Sequence, residues 1–188
     1  MNKQNFSAIA RNTGYKSSRA WLCHIFQAKG CFMLSLHIPD KESLTIEHVI
    51  LDFNGTLAVD GKLIPGVASR LEELSPLVSL HVITADTNAS ARSELAKISC
   101  TLKIIGKNRQ DQAKLEYAEN LGLKSVLAIG NGRNDGMLLQ HAALGVCVVQ
   151  KEGAAIAAMQ AADIVCNDIN DALDLLLQPH RLTATLRN

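Results

Sequence analysis

Residues 48–57 read HVILDFNGTL, an apolar run that ends in a carboxylate and is soon followed by a glycine. A run of Val, Ile and Leu without polar alternation is typical of a strand buried on both faces of a parallel sheet. Because an unpaired buried carboxylate is costly, Asp52 at the end of such a strand needs a positively charged partner. Gly55 permits a sharp turn behind it, so that backbone N–H groups of residues 53–56 can face an anion. The stretch therefore predicts a parallel strand followed by an anion-binding loop.

Similar short apolar runs recur along the chain, and helical patterns separate them. Alternating strands and helices predict an α/β fold with a doubly wound, Rossmann-like parallel sheet. Residues 34–38 and 44–46 alternate apolar and polar side chains, which favours a short edge hairpin before the main sheet. The predicted strands span residues 47–53, 79–84, 101–105, 125–129, 145–149 and 163–166.

The predicted helices have recognisable ends. Pro65 can open the first helix, and Gly122 can end a helix over residues 110–121. Asn134 is a candidate cap for the helix after that, and Pro179 lies just beyond the last one. The remaining signals are Thr87 or Asn88 as the cap of a second helix that buries Leu95 and Ile98, an Ala-rich helix over residues 153–161, and an apolar stripe of Ile169, Ala172, Leu173, Leu176 and Leu177.

Several predicted strands are followed by side chains suited to phosphate chemistry. Since doubly wound sheets bind ligands at the carboxyl ends of their strands, we expect Asp52, Thr84 and Asp135 to lie close together. Lys114 can reach them from the start of a helix. A carboxylate beside Mg²⁺ stays ionised and can attack phosphorus, while a hydroxyl and an ammonium group can bind phosphoryl oxygens. The set predicts phosphoryl transfer.

Four parts of the chain resemble the motifs of the haloacid dehalogenase (HAD) superfamily, namely DFNGTL at 52–57, Thr84, Lys114 and GNGRND at 130–135. The resemblance spans residues 46–178 and is closest to soluble members similar to the phosphorylation domain of P-type ATPases. It implies a HAD-like fold and a Mg²⁺-dependent phosphohydrolase that works through an aspartyl phosphate.

The resemblance also implies a role for each site residue. Asp52 would attack the phosphoryl group, and Thr84 and Lys114 would complete the catalytic set by orienting the phosphate and offsetting its charge. The phosphate-binding residues would be Phe53, Asn54, Gly55, Thr84 and Lys114. The Mg²⁺ ligands would be Asp52, the carbonyl of Asn54, Asn131 and Asp135.

Two positions depart from the pattern of the family that the motifs resemble. Asn54 stands where its phosphatases usually have an Asp that serves as general acid and base, a role worth about 10²–10⁴-fold in rate. Asn131 stands where the fourth motif usually begins with Asp, although an amide oxygen can still bind Mg²⁺ directly or through water. Asp60 and Asp86 are candidates to compensate. Two functions follow: a slow phosphohydrolase, or a non-catalytic phosphate-binding or regulatory pseudo-phosphatase.

The segments between the motifs are short. Only residues 57–64 separate the first motif from the first helix, and Asp60-Gly61 within them is a hairpin-turn signal. Residues 106–113 are equally short. These lengths predict a small flap and no cap domain, hence an open site. Such a site would take a large or macromolecular phosphorylated substrate, or use a neighbouring subunit of a homo-oligomer as its lid.

The net charge of +1 over 188 residues conceals two different parts. Residues 1–32 carry five basic residues and no acidic ones, which leaves 14 basic and 18 acidic residues, a net of −4, in residues 33–188. We interpret residues 1–32 as a disordered leader, or as sequence upstream of a true start at Met33, and residues 33–188 as one HAD-like domain. Secretory and organellar targeting segments are the alternatives for the leader.

Composition excludes several classes of function. The balanced charge predicts no nucleic-acid partner, and no apolar run approaches the length of about 18 residues that a membrane span needs. The five cysteines are odd in number and form no CxxC pair, which favours a reduced, cytoplasmic protein. Gly130 and Gly132 do not make a dinucleotide site, because the third glycine comes one residue late and the motif follows a late strand.

Overall fold

The computed structural model describes residues 33–38, 43–85 and 90–187. An antiparallel ribbon opens it, in which β1 (Leu34–Leu36) pairs with β2 (Leu44–Ile46). The side chains of Leu34, Leu36 and Ile46 are buried in the core, as the alternating pattern predicts. The interpretation of residues 1–32 as a leader lies outside the described residues.

The main sheet has six parallel strands in the order β10-β9-β8-β3-β6-β7, which confirms the doubly wound prediction. β3 lies inside the sheet between β6 and β8, and the chain runs outward from it in both directions. The strands are β3 (His48–Asp52), β6 (Ser79–Thr84), β7 (Thr101–Ile104), β8 (Val126–Gly130), β9 (Leu144–Val148) and β10 (Ile164–Cys166), and a separate hairpin is made by β4 (Ala58–Val59) and β5 (Lys62–Leu63).

Helices cover both faces of the sheet. The described helices are α1 (Val67–Leu74), α2 (Ser90–Glu94), α3 (Gln110–Leu121), α4 (Gly136–His141), α5 (Ile156–Ala161), α6 (Ile169–Leu177) and α7 (Pro179–Leu186), with 3₁₀ turns at Leu123–Ser125 and Arg133–Asp135. Among the described residues, no helix is both long enough and apolar enough to cross a membrane.

Alternate residues of β3 point into two separate aliphatic cores. Val49 and Leu51 pack with α1, α6, α7 and the ribbon, whereas Ile50 packs with α3, α4 and α5. All three side chains are fully buried. This explains why the strand reads as a continuous apolar run, since polar side chains would be buried on either face.

The β4–β5 hairpin is the flap that the sequence predicts. Asp60 and Gly61 at its tip both have positive φ, 51° and 74°, as a two-residue hairpin turn of this type requires. The N–H of Leu63 donates to the Glu94 carboxylate at 3.0 Å, which fastens the flap to α2.

Four local predictions differ from the structure. Asn134 does not cap α4, because it lies in the preceding 3₁₀ turn and its Nδ2 donates to Gln110 Oε1 at 2.9 Å. Pro179 does more than follow α6, since it begins α7, a helix that the sequence analysis did not predict. α5 begins at Ile156 and not at residue 153, and α2 ends at Glu94, so the buried Leu95 and Ile98 lie in the turns beyond it. The candidate caps Thr87 and Asn88 lie outside the described residues.

Candidate active site

Four side chains predicted from the sequence come from the carboxyl edge of the sheet. Asp52 ends β3, Thr84 ends the neighbouring β6, Asp135 follows β8 and Lys114 reaches in from α3. Asp52 is directly opposite Ile83, the residue before Thr84, in the parallel register. All four residues are buried, with exposures of 9% for Asp52, 3% for Thr84 and 1% each for Lys114 and Asp135.

Lys114 joins the two carboxylates. Its Nζ donates to Asp52 Oδ1 at 2.5 Å and to Asp135 Oδ1 at 2.6 Å. Burial alone would lower the pKa of Lys114, but the charges and hydrogen bonds of the two carboxylates outweigh it and raise the pKa above its ordinary value. Lys114 is therefore a buried ammonium, although Glu116 and Glu119 nearby in the sequence would also suit a solvated helix residue.

The other oxygen of Asp135 is fixed by the loop that carries it. Oδ2 accepts the backbone N–H groups of Asn131 at 3.1 Å and Gly132 at 2.8 Å. A side chain at Gly130 would overlap the Asp135 carboxylate, so the chain can approach this closely only because residue 130 is a glycine. The GNGRND motif thus turns its final carboxylate back into the site.

The negative charge of the Asp52 carboxylate is only partly compensated by its surroundings. Burial first, and repulsion from Asp135 second, raise its pKa to about 7 although Lys114 and the backbone N–H of Phe53 act in the opposite direction. Two buried carboxylates and one ammonium leave a net charge of −1. The cluster is therefore short of one positive charge, which is the deficit that a bound cation would meet.

The loop after Asp52 differs from its prediction. The Gly55 N–H donates to Ala58 O at 2.8 Å and the Thr56 N–H to Phe53 O at 3.4 Å. These two N–H groups are engaged within the turn, so the expectation that they face an anion is wrong for this conformation. Phe53 is fully buried and directs its own N–H to Asp52, whereas Asn54 is exposed.

Asn131 holds two loops together. Its Nδ2 donates to Gly153 O at 3.0 Å, and its Oδ1 accepts the Thr56 hydroxyl at 3.3 Å. A methyl group on Gly55, which has φ of 80°, would come within 2.5 Å of Asn131 Nδ2. The amide thus packs tightly behind the loop of the first motif.

Sequence reasoning missed Gln150. Its Nε2 donates to Gly55 O at 3.0 Å and Thr56 O at 2.7 Å, while its Oε1 accepts the N–H of Ile169 at 2.9 Å. The signal was present, because Gln150 is the first polar residue after a predicted strand and so falls at the same edge of the sheet.

The site offers oxygen donors for a metal. Among the described residues, no group of three or more His, Cys, Asp or Glu side chains is arranged so that it could hold a metal ion by itself. The available donors are the two carboxylates, the Asn131 amide and the backbone carbonyl of Asn54. Oxygen ligands beside a charge deficit suit Mg²⁺, which keeps several waters and needs only one or two carboxylates. Asp60 lies exposed at the flap tip, and Asp86 lies outside the described residues.

No family model matches the chain. The chain is 51% identical over 80 residues to uncharacterized protein MJ0073 of Methanocaldococcus jannaschii. The match covers 40% of this chain and 86% of that protein. The chain belongs to the same family as MJ0073. Uncharacterized protein MJ0072 of the same archaeon is 42% identical over 40 residues, which cover 21% of this chain and 91% of that protein.

Solved structures identify the fold. A cobalt-bound deoxy-D-mannose-octulosonate 8-phosphate phosphatase from Haemophilus influenzae superposes with a TM-score of 0.60 at 17% identity, over 74% of this chain and 91% of that one. A 3-deoxy-D-manno-octulosonate 8-phosphate phosphatase from Moraxella catarrhalis was solved with magnesium, phosphate and KDO. It superposes with a TM-score of 0.57 at 18% identity, over 74% of this chain and 92% of that one. A Legionella pneumophila protein assigned to the HAD superfamily (subfamily III A) hydrolases superposes with a TM-score of 0.58 at 20% identity, over 75% of this chain and 87% of that one. The chain has the HAD fold, as the motif resemblance implied. The closer likeness to P-type ATPases stays a prediction.

Proposed function

We propose that this protein is a Mg²⁺-dependent phosphohydrolase whose nucleophile is Asp52. The observation that carries the proposal is the buried cluster in which Lys114 bonds both Asp52 and Asp135 at the carboxyl edge of a HAD-fold sheet. Buried carboxylates of this kind are costly to a fold, and a site that uses their charge gives a reason for keeping them.

The chain's own groups account for positioning and for charge. The Asp52 carboxylate is held by Lys114 and by the Phe53 N–H, and it attacks phosphorus to form an acyl phosphate as the bond to the leaving oxygen breaks. Thr84 and Lys114 donate hydrogen bonds to the phosphoryl oxygens. Water then hydrolyses the acyl phosphate, which returns the carboxylate and releases inorganic phosphate. Because Asn54 cannot carry a proton, the leaving oxygen takes its proton from solvent, and turnover is slow.

The donors at the site fit Mg²⁺. Asp52, Asp135 and the carbonyl of Asn54 would hold it, and Asn131, whose amide already bonds Thr56 and Gly153, would contribute through water. Bound there, Mg²⁺ supplies the missing positive charge and binds phosphoryl oxygen. The magnesium and phosphate in the Moraxella structure support this assignment.

The phosphatases of similar fold and the cysteines of the chain support proposals for the substrate class and the cellular location. The phosphatases of similar fold act on a phosphorylated sugar, which supports a phosphorylated substrate for this chain. The small flap leaves the site open, which is compatible with a large substrate or with a lid from a second subunit. A cytoplasmic location agrees with Cys100, Cys147 and Cys166, none of which forms a disulfide within the described part of the chain.

The test is hydrolysis of p-nitrophenyl phosphate with and without Mg²⁺ by the native protein and by Asp52→Asn. We expect Mg²⁺-dependent release of nitrophenol that falls by about 10³-fold or more in the variant, since the nucleophile is lost. Asp171→Asn, an equivalent change at an exposed residue of α6, is the matched control and keeps native activity. Equal rates in the native protein and Asp52→Asn would overturn the proposal.

A second candidate, a pseudo-phosphatase that binds phosphate without turnover, is favoured by the exposed amide of Asn54. Beryllium fluoride mimics an aspartyl phosphate, so in this case it would raise the melting temperature only with both Mg²⁺ and Asp52 present, while no turnover is measured. Asn54→Asp separates the two functions. The slow-enzyme proposal predicts a rate increase of about 10²-fold or more, whereas a site that has lost catalysis altogether stays inactive.

A further inference from the structure

A depression of about 480 Å³ lies beside the proposed active site. It is lined by Lys107, Arg109, Gln110, Asp111, Arg133 and Asn134, so three cations face one carboxylate. This concentration of positive charge stands out because residues 33–188 carry a net charge of −4. Within the described chain, none of the three cations forms an ion pair.

The two loops that carry these cations are tied together by one side chain. Gln110 Nε2 donates to Lys107 O at 3.0 Å, and Gln110 Oε1 accepts the Asn134 amide at 2.9 Å. Arg109 has a left-handed backbone with φ of 52°, a conformation that costs a non-glycine residue free energy. The loops that carry Arg109 and Arg133 are thus linked to each other by hydrogen bonds of Gln110.

The depression has two walls, one at the start of α3 and one in the 3₁₀ turn Arg133–Asp135, and each wall continues along the chain to a residue of the catalytic cluster. Lys114 follows Gln110 by one turn of α3, and Asp135 follows Arg133 by two residues in the same 3₁₀ turn. The ion pair between Lys114 and Asp135, at 2.6 Å, joins the two walls at the site itself. Along the axis of α3, Gln110, the residue that follows Arg109, lies about 6 Å from Lys114.

We infer that this depression binds a second phosphate group of the substrate, so that the preferred substrate is a small bisphosphorylated molecule. The inference rests on the proposed function, since Lys114 marks where the scissile phosphate would lie. Arginine presents a planar fork that matches phosphate oxygens, and unpaired exposed arginines keep that fork available. The spacing suits two phosphates separated by a short carbon skeleton.

The experiment compares kcat/KM for fructose bisphosphate, fructose monophosphate and phosphogluconate in the presence of Mg²⁺. We expect the native protein to prefer the bisphosphate over the monophosphate by about tenfold or more, and Arg109→Gln/Arg133→Gln to bring the ratio close to one. Lys97→Gln/Lys124→Gln makes the same change in net charge at exposed residues before β7 and β8, at the opposite edge of the sheet, and keeps the native ratio.

Each other outcome overturns a defined part of the inference. A native ratio near one removes the second phosphate site, and an equal preference for phosphogluconate shows that any second anion suffices. A fall in the ratio in the lysine control shows a general effect of charge. If p-nitrophenyl phosphate is not hydrolysed, the proposed function fails by itself, and the same comparison is made by calorimetric binding, where we expect the same ratio of affinities.

Discussion

Lys114 is the residue on which both the stability and the chemistry of the site depend. It is buried, and it satisfies an oxygen of each of two buried carboxylates. Lys114→Met keeps most of the apolar stem but leaves Asp52 and Asp135 facing each other without compensation. We expect it to lower the free energy of unfolding by about 3–5 kcal/mol, measured by urea denaturation at neutral pH.

A second substitution distinguishes lost charge from lost packing. If uncompensated charge is the cause, adding Asp52→Asn to Lys114→Met recovers part of the loss, because one of the two carboxylates is then neutral. Additive effects of the two substitutions would contradict this account and assign the cost to packing of the lysine stem.

Gly55 and Gly153 separate two costs of replacing a glycine. Both have positive φ, 80° and 73°, so Gly→Ala carries a similar backbone cost at each. A methyl group at Gly55 would collide with the Asn131 amide, whereas nothing lies within 4 Å of one at Gly153. We expect Gly55→Ala to lower the urea midpoint clearly more than Gly153→Ala, and equal losses would show that the loop yields to the methyl group.

A chain of polar side chains joins β3, β6 and α3 on one face of the sheet. His48 Nδ1 lies 3.1 Å from His81 Nε2, and His81 Nδ1 lies 2.9 Å from the Tyr117 hydroxyl. Burial, and secondarily the charge of His48, lower the pKa of His81 from 6.5 to about 4. Folded His81 therefore stays neutral over a range of pH in which the unfolded chain takes up a proton.

The sign of the resulting pH dependence follows from linkage. Above pH 6.5 His81 is neutral in both states, and as the pH falls from 6.5 towards about 4 protonation favours the unfolded chain. We expect the urea midpoint to fall less steeply between pH 7 and pH 5 in His81→Gln than in the native protein. His141→Gln, at an exposed residue of α4, should keep the native slope, and parallel slopes for all three proteins would refute the role of His81.

The sequence predicted those elements whose signals are local. α3 begins and ends at the predicted residues because Gly122 ends it, and β3 was evident because burial on both faces removes polar alternation. The approach of Asp52 to Asp135 was predictable through the rule that parallel strands end at one edge. Lys114 lies on a helix, and it was added to the set from its place at the start of that helix and from the motif resemblance. Contacts between distant segments left no local signal, as with Gln150 against Gly55 and the pairing of Arg70 with Asp174 across α1 and α6.

Over the whole molecule, the positive charge of an acidic domain is concentrated at the depression that we propose to bind phosphate. Residues 33–188 have a net charge of −4, yet three exposed cations line one depression. Two of them, Arg109 and Arg133, belong to the segments that also carry Lys114 and Asp135. At an ionic strength of 0.15 M, charges are screened beyond about 8 Å, so cations within that distance of a bound phosphate would dominate the electrostatic potential at the proposed site. The overall balance, from which nucleic-acid binding was excluded, therefore says little about small anions.

The domain boundary that the sequence predicts at Met33 can be tested on the whole chain. The described core begins at β1, where Leu34 and Leu36 pack together with Ile46 of β2. We expect a chain lacking residues 1–32 to keep the native urea midpoint. A chain lacking residues 1–46 loses four buried aliphatic side chains, those of Leu34, Leu36, Ile38 and Ile46. Each is worth about 1.5–3 kcal/mol, so this chain should unfold at clearly lower urea. A matching loss in the shorter deletion would show that the leader contributes to the fold, and the domain would then begin before Met33.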